Sequence, residues 1–153
     1  MADFVFNIAK GKIKYYAELP AANDALILVL CDTSGLETDA TLKDYDNLSL
    51  LMAGTTNEMT FTGYARRTLT GVSVTVDDTN DRTDFDAVDP AAWTNTGGSP
   101  APCSKAIICY DPDTTTGTDA DLIPLYAYDA VISFDVGVAT TLAFNAAGIG
   151  RAA

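Results

Sequence analysis

The sequence predicts a mainly β protein, an antiparallel β-sandwich or partly open barrel, with one short α-helix over about residues 42–53. Three observations carry that prediction. Several segments alternate apolar and polar residues with period two, as a strand with one buried and one wet face requires. Two others, Leu26–Leu30 and Ala106–Cys109, are continuous apolar runs closed off by polar turn residues, the pattern of strands covered on both faces. Only one stretch places its apolar residues at helical spacing.

In chain order, the first element has an unusual phase. Phe4, Phe6 and Ile8 share one face of an extended chain, and Lys10, Lys12 and Lys14 continue that same face. The apolar face then becomes Ile13 and Tyr15, with the switch at Gly11. A period-two pattern that changes face at a glycine indicates a bulge, a bend or a change of environment. Residues 1–16 therefore form either a bulged edge strand, whose lysines discourage edge pairing, or an extended docking arm for an acidic partner. Leu26–Leu30 is the first fully covered strand. From Thr41 to Ala53, Leu48, Leu51 and Met52 fall at helical spacing, and Leu42 and Tyr45 extend the stripe upstream. Asp44 or Asp46 is placed to cap this helix and Gly54 to end it. Val72, Val74 and Val76 alternate with Ser73 and Thr75, as Ile132, Phe134 and Val136 do with Ser133 and Asp135. Short strands separated by Asp, Thr, Gly and Asn favour a sandwich or barrel over βαβ units.

The 153 residues fit one β-rich domain, and 48% hydrophobic residues supply a real core. A formal charge of −12 and a pI near 4.1 disfavour binding to nucleic acid or to an anionic membrane. The opening residues lack the basic and apolar regions of a signal peptide, and no apolar run nears the length of a membrane span. The expectation is a soluble protein made in the cytoplasm. Cys31, Cys103 and Cys109 lack paired metal-ligand spacing and are expected as buried reduced thiols.

Chemistry has little to work with. The chain contains no histidine, the side chain that most readily serves as general base or nitrogen ligand near neutral pH. The acidic stretches Asp77–Asp86 and Asp111–Asp121 suggest calcium, but neither meets the EF-hand pattern. In the second, glycine falls one position late and Leu122 stands where the bidentate glutamate belongs. These aspartates are expected to close turns, with no cofactor or metal required. Nucleotide-binding glycine motifs are absent, and no catalytic activity is expected. Trp93 reads as a buried strand-end residue.

Three stretches carry a resemblance: Met1-Ala2-Asp3-Phe4-Val5-Phe6-Asn7-Ile8-Ala9-Lys10-Gly11, Val76-Asp77-Asp78-Thr79-Asn80-Asp81-Arg82, and Cys109-Tyr110-Asp111-Pro112-Asp113-Thr114 running on to Asp119-Ala120-Asp121-Leu122-Ile123-Pro124-Leu125. Nearly end to end, the chain resembles auxiliary head, or capsid decoration, proteins of tailed bacteriophages. The resemblance implies a virion component on the capsid surface, with the major capsid protein as partner and self-association into trimers or other symmetric clusters. It transfers no catalytic or binding residue. From the face pattern of the first segment, Phe4, Phe6, Ile8, Lys10, Lys12 and Lys14 are the expected capsid-docking residues, with Phe4, Phe6 and Ile8 filling apolar pockets in the shell and the lysines supplying charge complementarity. A tail or neck component is the alternative among structural proteins. From another class, a carbohydrate-binding module would need Tyr64, Trp93, Tyr126 and Tyr128 to converge.

Overall fold

The computed structural model describes residues 3–144 and 148–152. Met1 and Ala2, the first residues of the expected arm, lie outside them. In chain order the elements are β1 (Phe4–Val5), a 3-10 turn (Asn7–Ala9), α1 (Ile13–Ala17), β2 (Ala25–Asp32), α2 (Asp39–Leu42), α3 (Leu48–Ala53), β3 (Arg67–Thr68), β4 (Ser73–Asp77), β5 (Arg82–Asp86), β6 (Trp93–Thr94), β7 (Ala101–Asp111), β8 (Ile123–Phe134), β9 (Ala139–Thr140) and β10 (Gly150–Ala152). They form a five-stranded sheet in the order β1-β8-β7-β2-β3, a three-stranded sheet β10-β5-β4, and the pair β6-β9. All named strand pairs are antiparallel. The mainly β prediction with antiparallel sheets is the fold observed.

The two continuous apolar runs lie in the central strands β2 and β7, which pair from Ala25↔Asp111 to Asp32↔Cys103. Because side chains alternate across a strand, each strand feeds two cores. Leu26, Leu28, Leu30, Ala106 and Ile108 face one core, with Phe85 of β5, Trp93 of β6 and Ile13 and Tyr16 of α1. Ile27, Val29, Ile107 and Cys109 face the other, with Phe4, Phe6, Leu42, Leu48 and Leu51. The small sheet thus packs on one face of the large sheet and α2 and α3 cover the other. Cys31, Cys103 and Cys109 are free and buried, and burial pushes the Cys103 thiol up to about 11.

The helical stripe is correct in its buried residues and wrong in its continuity. Instead of one helix over 42–53 there are two short ones, capped by Thr38 and Asn47, not by Asp44 or Asp46. Between them the backbone turns to reach other elements. The Lys43 carbonyl accepts from Asn7 N–H at 2.9 Å, and the N–H groups of Leu48 and Ser49 donate to the carbonyls of Leu122 and Asp119, each at 3.0 Å. Those long-range bonds satisfy peptide groups that a continuous helix would keep to itself. Gly54 does end α3, with φ −74°, so the left-handed cap is not used.

Candidate docking surface

The N-terminal segment is not an extended arm. Extension stops after Val5, and the chain then forms the 3-10 turn, a bend at Gly11 and α1. Gly11 has φ +75°, in the left-handed region where glycine is unstrained, so the face switch read in the sequence is a turn. The helical period explains the rest. Ile13, Tyr16 and Ala17 are buried on one side of α1, while Lys14, Tyr15 and Glu18 are exposed on the other.

This compact knuckle is anchored from within. Phe4 and Phe6 are buried, with ring centroids 5.1 Å apart, and the Nζ atoms of Lys43 and Lys105 each lie 4.9 Å from the Phe4 ring centroid. Such cation–ring contacts favour the buried ring position. Asn7 Nδ2 donates to Asp44 Oδ1, and Lys12 N–H donates to the Ala9 carbonyl at 2.9 Å. Phe4 and Phe6 are therefore core residues that hold the knuckle, and they are not presented to fill pockets elsewhere. Burying them stabilises the fold by about 2 kcal/mol each, a gain that extending the segment would forfeit.

What the knuckle does present is Ile8, Lys10, Lys12, Lys14 and Tyr15, all exposed. Tyr15 is 56% exposed, and the period-two reading had placed it on the inner face. The positive charge here is unusual for this chain. Arg66 binds Glu58 and Asp119, Arg82 binds Asp77 and Asp84, and Lys105 binds Asp39 and Asp129. Arg67 donates to the carbonyls of Ala91 and Ala92, Lys43 lies over Phe4, and Lys14 pairs with Glu18 on its own helix. Among the cations whose side chains the structure describes, Lys10 and Lys12 alone have no such partner. Among the described side chains, the free positive charge of this acidic chain thus lies at one place.

The other candidate sites resolve into structural roles. Asp77 accepts from Thr79 and Asn80, Asp113 from Thr115 and Thr116, and Asp121 from Thr118, so these acidic loops are closed turns. No group of three His, Cys, Asp or Glu suited to a metal ion occurs among the described residues. The four aromatic candidates all lie in or against one core, and none is exposed. Trp93 is fully buried with Nε1–H donating to the Ala65 carbonyl at 2.7 Å, and Tyr64 O–H donates to Glu58 while accepting from Leu30 N–H. Only Tyr126 and Tyr128 lie side by side, with ring centroids 6.3 Å apart.

Asp119 shows how an acidic-loop carboxylate is used. Arg66 hydrogen-bonds it through Nη1 and Nη2 and holds its carboxyl below the usual range. A carboxylate depressed in this way stabilises the fold fully above its unfolded pKa of about 3.9, and that contribution is lost as pH falls through the lower folded value. Asp119→Asn is therefore expected to lower the urea midpoint at neutral pH, with the gap closing as the medium is acidified through the folded pKa of Asp119. An unchanged gap at that acidity would assign the effect to packing.

No protein-family model, curated protein or solved structure matches the chain.

Proposed function

We propose that this chain is a structural protein of a bacteriophage virion that binds the exterior of the assembled capsid and stabilises it as a decoration protein. The observation that carries this reading is the knuckle: Ile8, Lys10, Lys12, Lys14 and Tyr15 form an exposed basic and apolar patch on an otherwise acidic body. Its rigid anchoring limits the ordering cost of docking. The whole-chain resemblance points to the same role, with the major capsid protein as the partner. Each copy binds the assembled lattice and not its dissociated subunits, so occupancy stabilises the shell by linkage. Clustering of copies into trimers or other symmetric groups lets modest single-site affinity suffice.

Charge at the knuckle should govern association rate and orientation more than affinity, and its effect should weaken with salt. The test is co-sedimentation of the purified protein with undecorated capsids, followed by heating of the decorated shells. The parent protein is expected to co-sediment and raise the temperature of shell disruption. Lys10→Glu/Lys12→Glu/Lys14→Glu is expected to bind at least about tenfold more weakly at low salt, with unchanged circular dichroism. Equal binding by the triple variant would remove the knuckle from the interface. Preference for tail tubes or a glycan would overturn the head assignment.

A further inference from the structure

β8 is a twelve-residue strand with only one fully paired side. β7 runs along it from Ala101↔Phe134 to Tyr110↔Ile123, whereas β1 covers the opposite side only at Tyr126 and Ala127. Asp3 Oδ1 then accepts from Asp129 N–H at 3.0 Å. Beyond it, no strand pairs with this side of Ala130–Ser133 among the described residues. Exposed edges are normally blunted by lysine, proline or a cover. This one instead carries Val131 at 85% exposure, on the sheet face where the α2 and α3 layer has ended.

The other face of the same edge borders a groove of about 590 Å³, walled by Asp3, Tyr128, Leu142, Phe144 and Ile149. Among the described residues the enclosed Tyr128 hydroxyl has no hydrogen-bond partner. Burial, together with Asp89 and Asp3, raises its pKa above the ordinary tyrosine value. Asp3 and Asp89 are exposed and, among the described residues, accept from the backbone N–H groups of Asp129 and Phe144. The rim is therefore negative.

Resting on the capsid-binding reading, we propose that the β8 edge at Ala130–Ser133 receives an extended segment of the shell subunit, antiparallel to β8, with apolar side chains on both faces and a Lys or Arg beside Asp3. Successive side chains of an added strand point to opposite faces. One enters the groove beside Tyr128 and the next covers Val131. A second copy pairing through its own β8 edge fits less well, because that would bring together two rims carrying the exposed Asp3 and Asp89. The knuckle supports the shell as the source. Its 3-10 turn packs on β8, and the Phe6 N–H donates to the Leu125 carbonyl at 3.0 Å, so the knuckle and the open edge flank β1 on the same side of the sheet.

The experiment uses the full chain and undecorated capsids. Amide hydrogen exchange at 130–133 is measured for free and shell-bound protein, and co-sedimentation is compared for the parent and Val131→Lys. Val131 is solvent-exposed, so its substitution leaves the core intact. The open-side amides are expected to exchange fast in free protein and to slow about tenfold or more on the shell. Val131→Lys is expected to bind about tenfold more weakly. Undiminished binding by Val131→Lys overturns the inference while leaving capsid binding intact. Amides already protected in dilute free protein overturn it in favour of cover by the chain itself. Protection that grows with protein concentration without shells overturns it in favour of a second copy. Failure of the parent to co-sediment overturns the capsid-binding reading and this inference with it.

Discussion

Lys105→Ala is expected to lower the stability of the fold by about 3–5 kcal/mol, a large share of what a domain of this size possesses. Lys105 sits on β7 with no solvent exposure. Its Nζ lies 2.8 Å from Asp39 Oδ1 at the start of α2 and 2.8 Å from Asp129 Oδ1 on β8, and 4.9 Å from the Phe4 ring centroid on β1. One ammonium thus fastens three elements onto the central sheet. Alanine would remove the ammonium that these two carboxylates share and open a cavity beneath Phe4. Methionine at the same position restores volume without charge, so Lys105→Met separates packing from electrostatics. Combined with Asp39→Asn and Asp129→Asn, it should recover most of the loss, because removing all partners of a buried ion pair costs far less than removing one. Urea unfolding followed by circular dichroism measures each variant. A loss below about 1 kcal/mol for Lys105→Ala would show that water readily replaces the ammonium.

The second large effect is expected at Trp93. Trp93→Ala should cost about 3–5 kcal/mol, through lost apolar burial and the cavity left behind. The indole meets Phe134 edge-on, with ring centroids 5.9 Å apart and an interplanar angle of 82°. The Arg67 guanidinium carbon lies 5.0 Å from its ring centroid, and Nε1–H donates to the Ala65 carbonyl. Trp93 therefore pins β6 to the end of β8 and to the segment entering β3. Trp93→Phe keeps most of the packing but leaves the Ala65 carbonyl without its donor, and about 1–3 kcal/mol should follow from that alone. Thermal melts by circular dichroism test both, because the substitution removes the sole tryptophan. A Trp93→Ala protein that melts with the parent would mean that the β6–β9 pair is not coupled to the main core.

The strands that were easiest to read are those whose environment is the same on both faces. Leu26–Leu30 and Ala106–Cys109 admit no wet side, so their apolar runs alone require a central position. Trp93 was legible for a related reason, since a large indole beside a strand end is most stable under cover. The N-terminal segment was not legible in this way. Over so few residues, periods of 2 and 3.6 differ by only one or two positions, and Tyr15 or Tyr16 can be the inward residue depending on which applies. Lys105 gave no warning beyond its place in an apolar strand, because a lysine reads as exposed until its carboxylates arrive from residues 39 and 129.

The sequence by itself determined the mainly β character, the central strands, the apolar stripe under α2 and α3, and the acidity of the surface. These follow from the side chains along one segment. Only the tertiary structure decided that Phe4 and Phe6 turn inward, that the helical stripe breaks at Asp44–Asn47, that Lys105 is enclosed, and that Val131 lies on an open edge. Each of those depends on which distant segment comes to lie opposite, and a local pattern of polarity specifies a face without specifying what covers it.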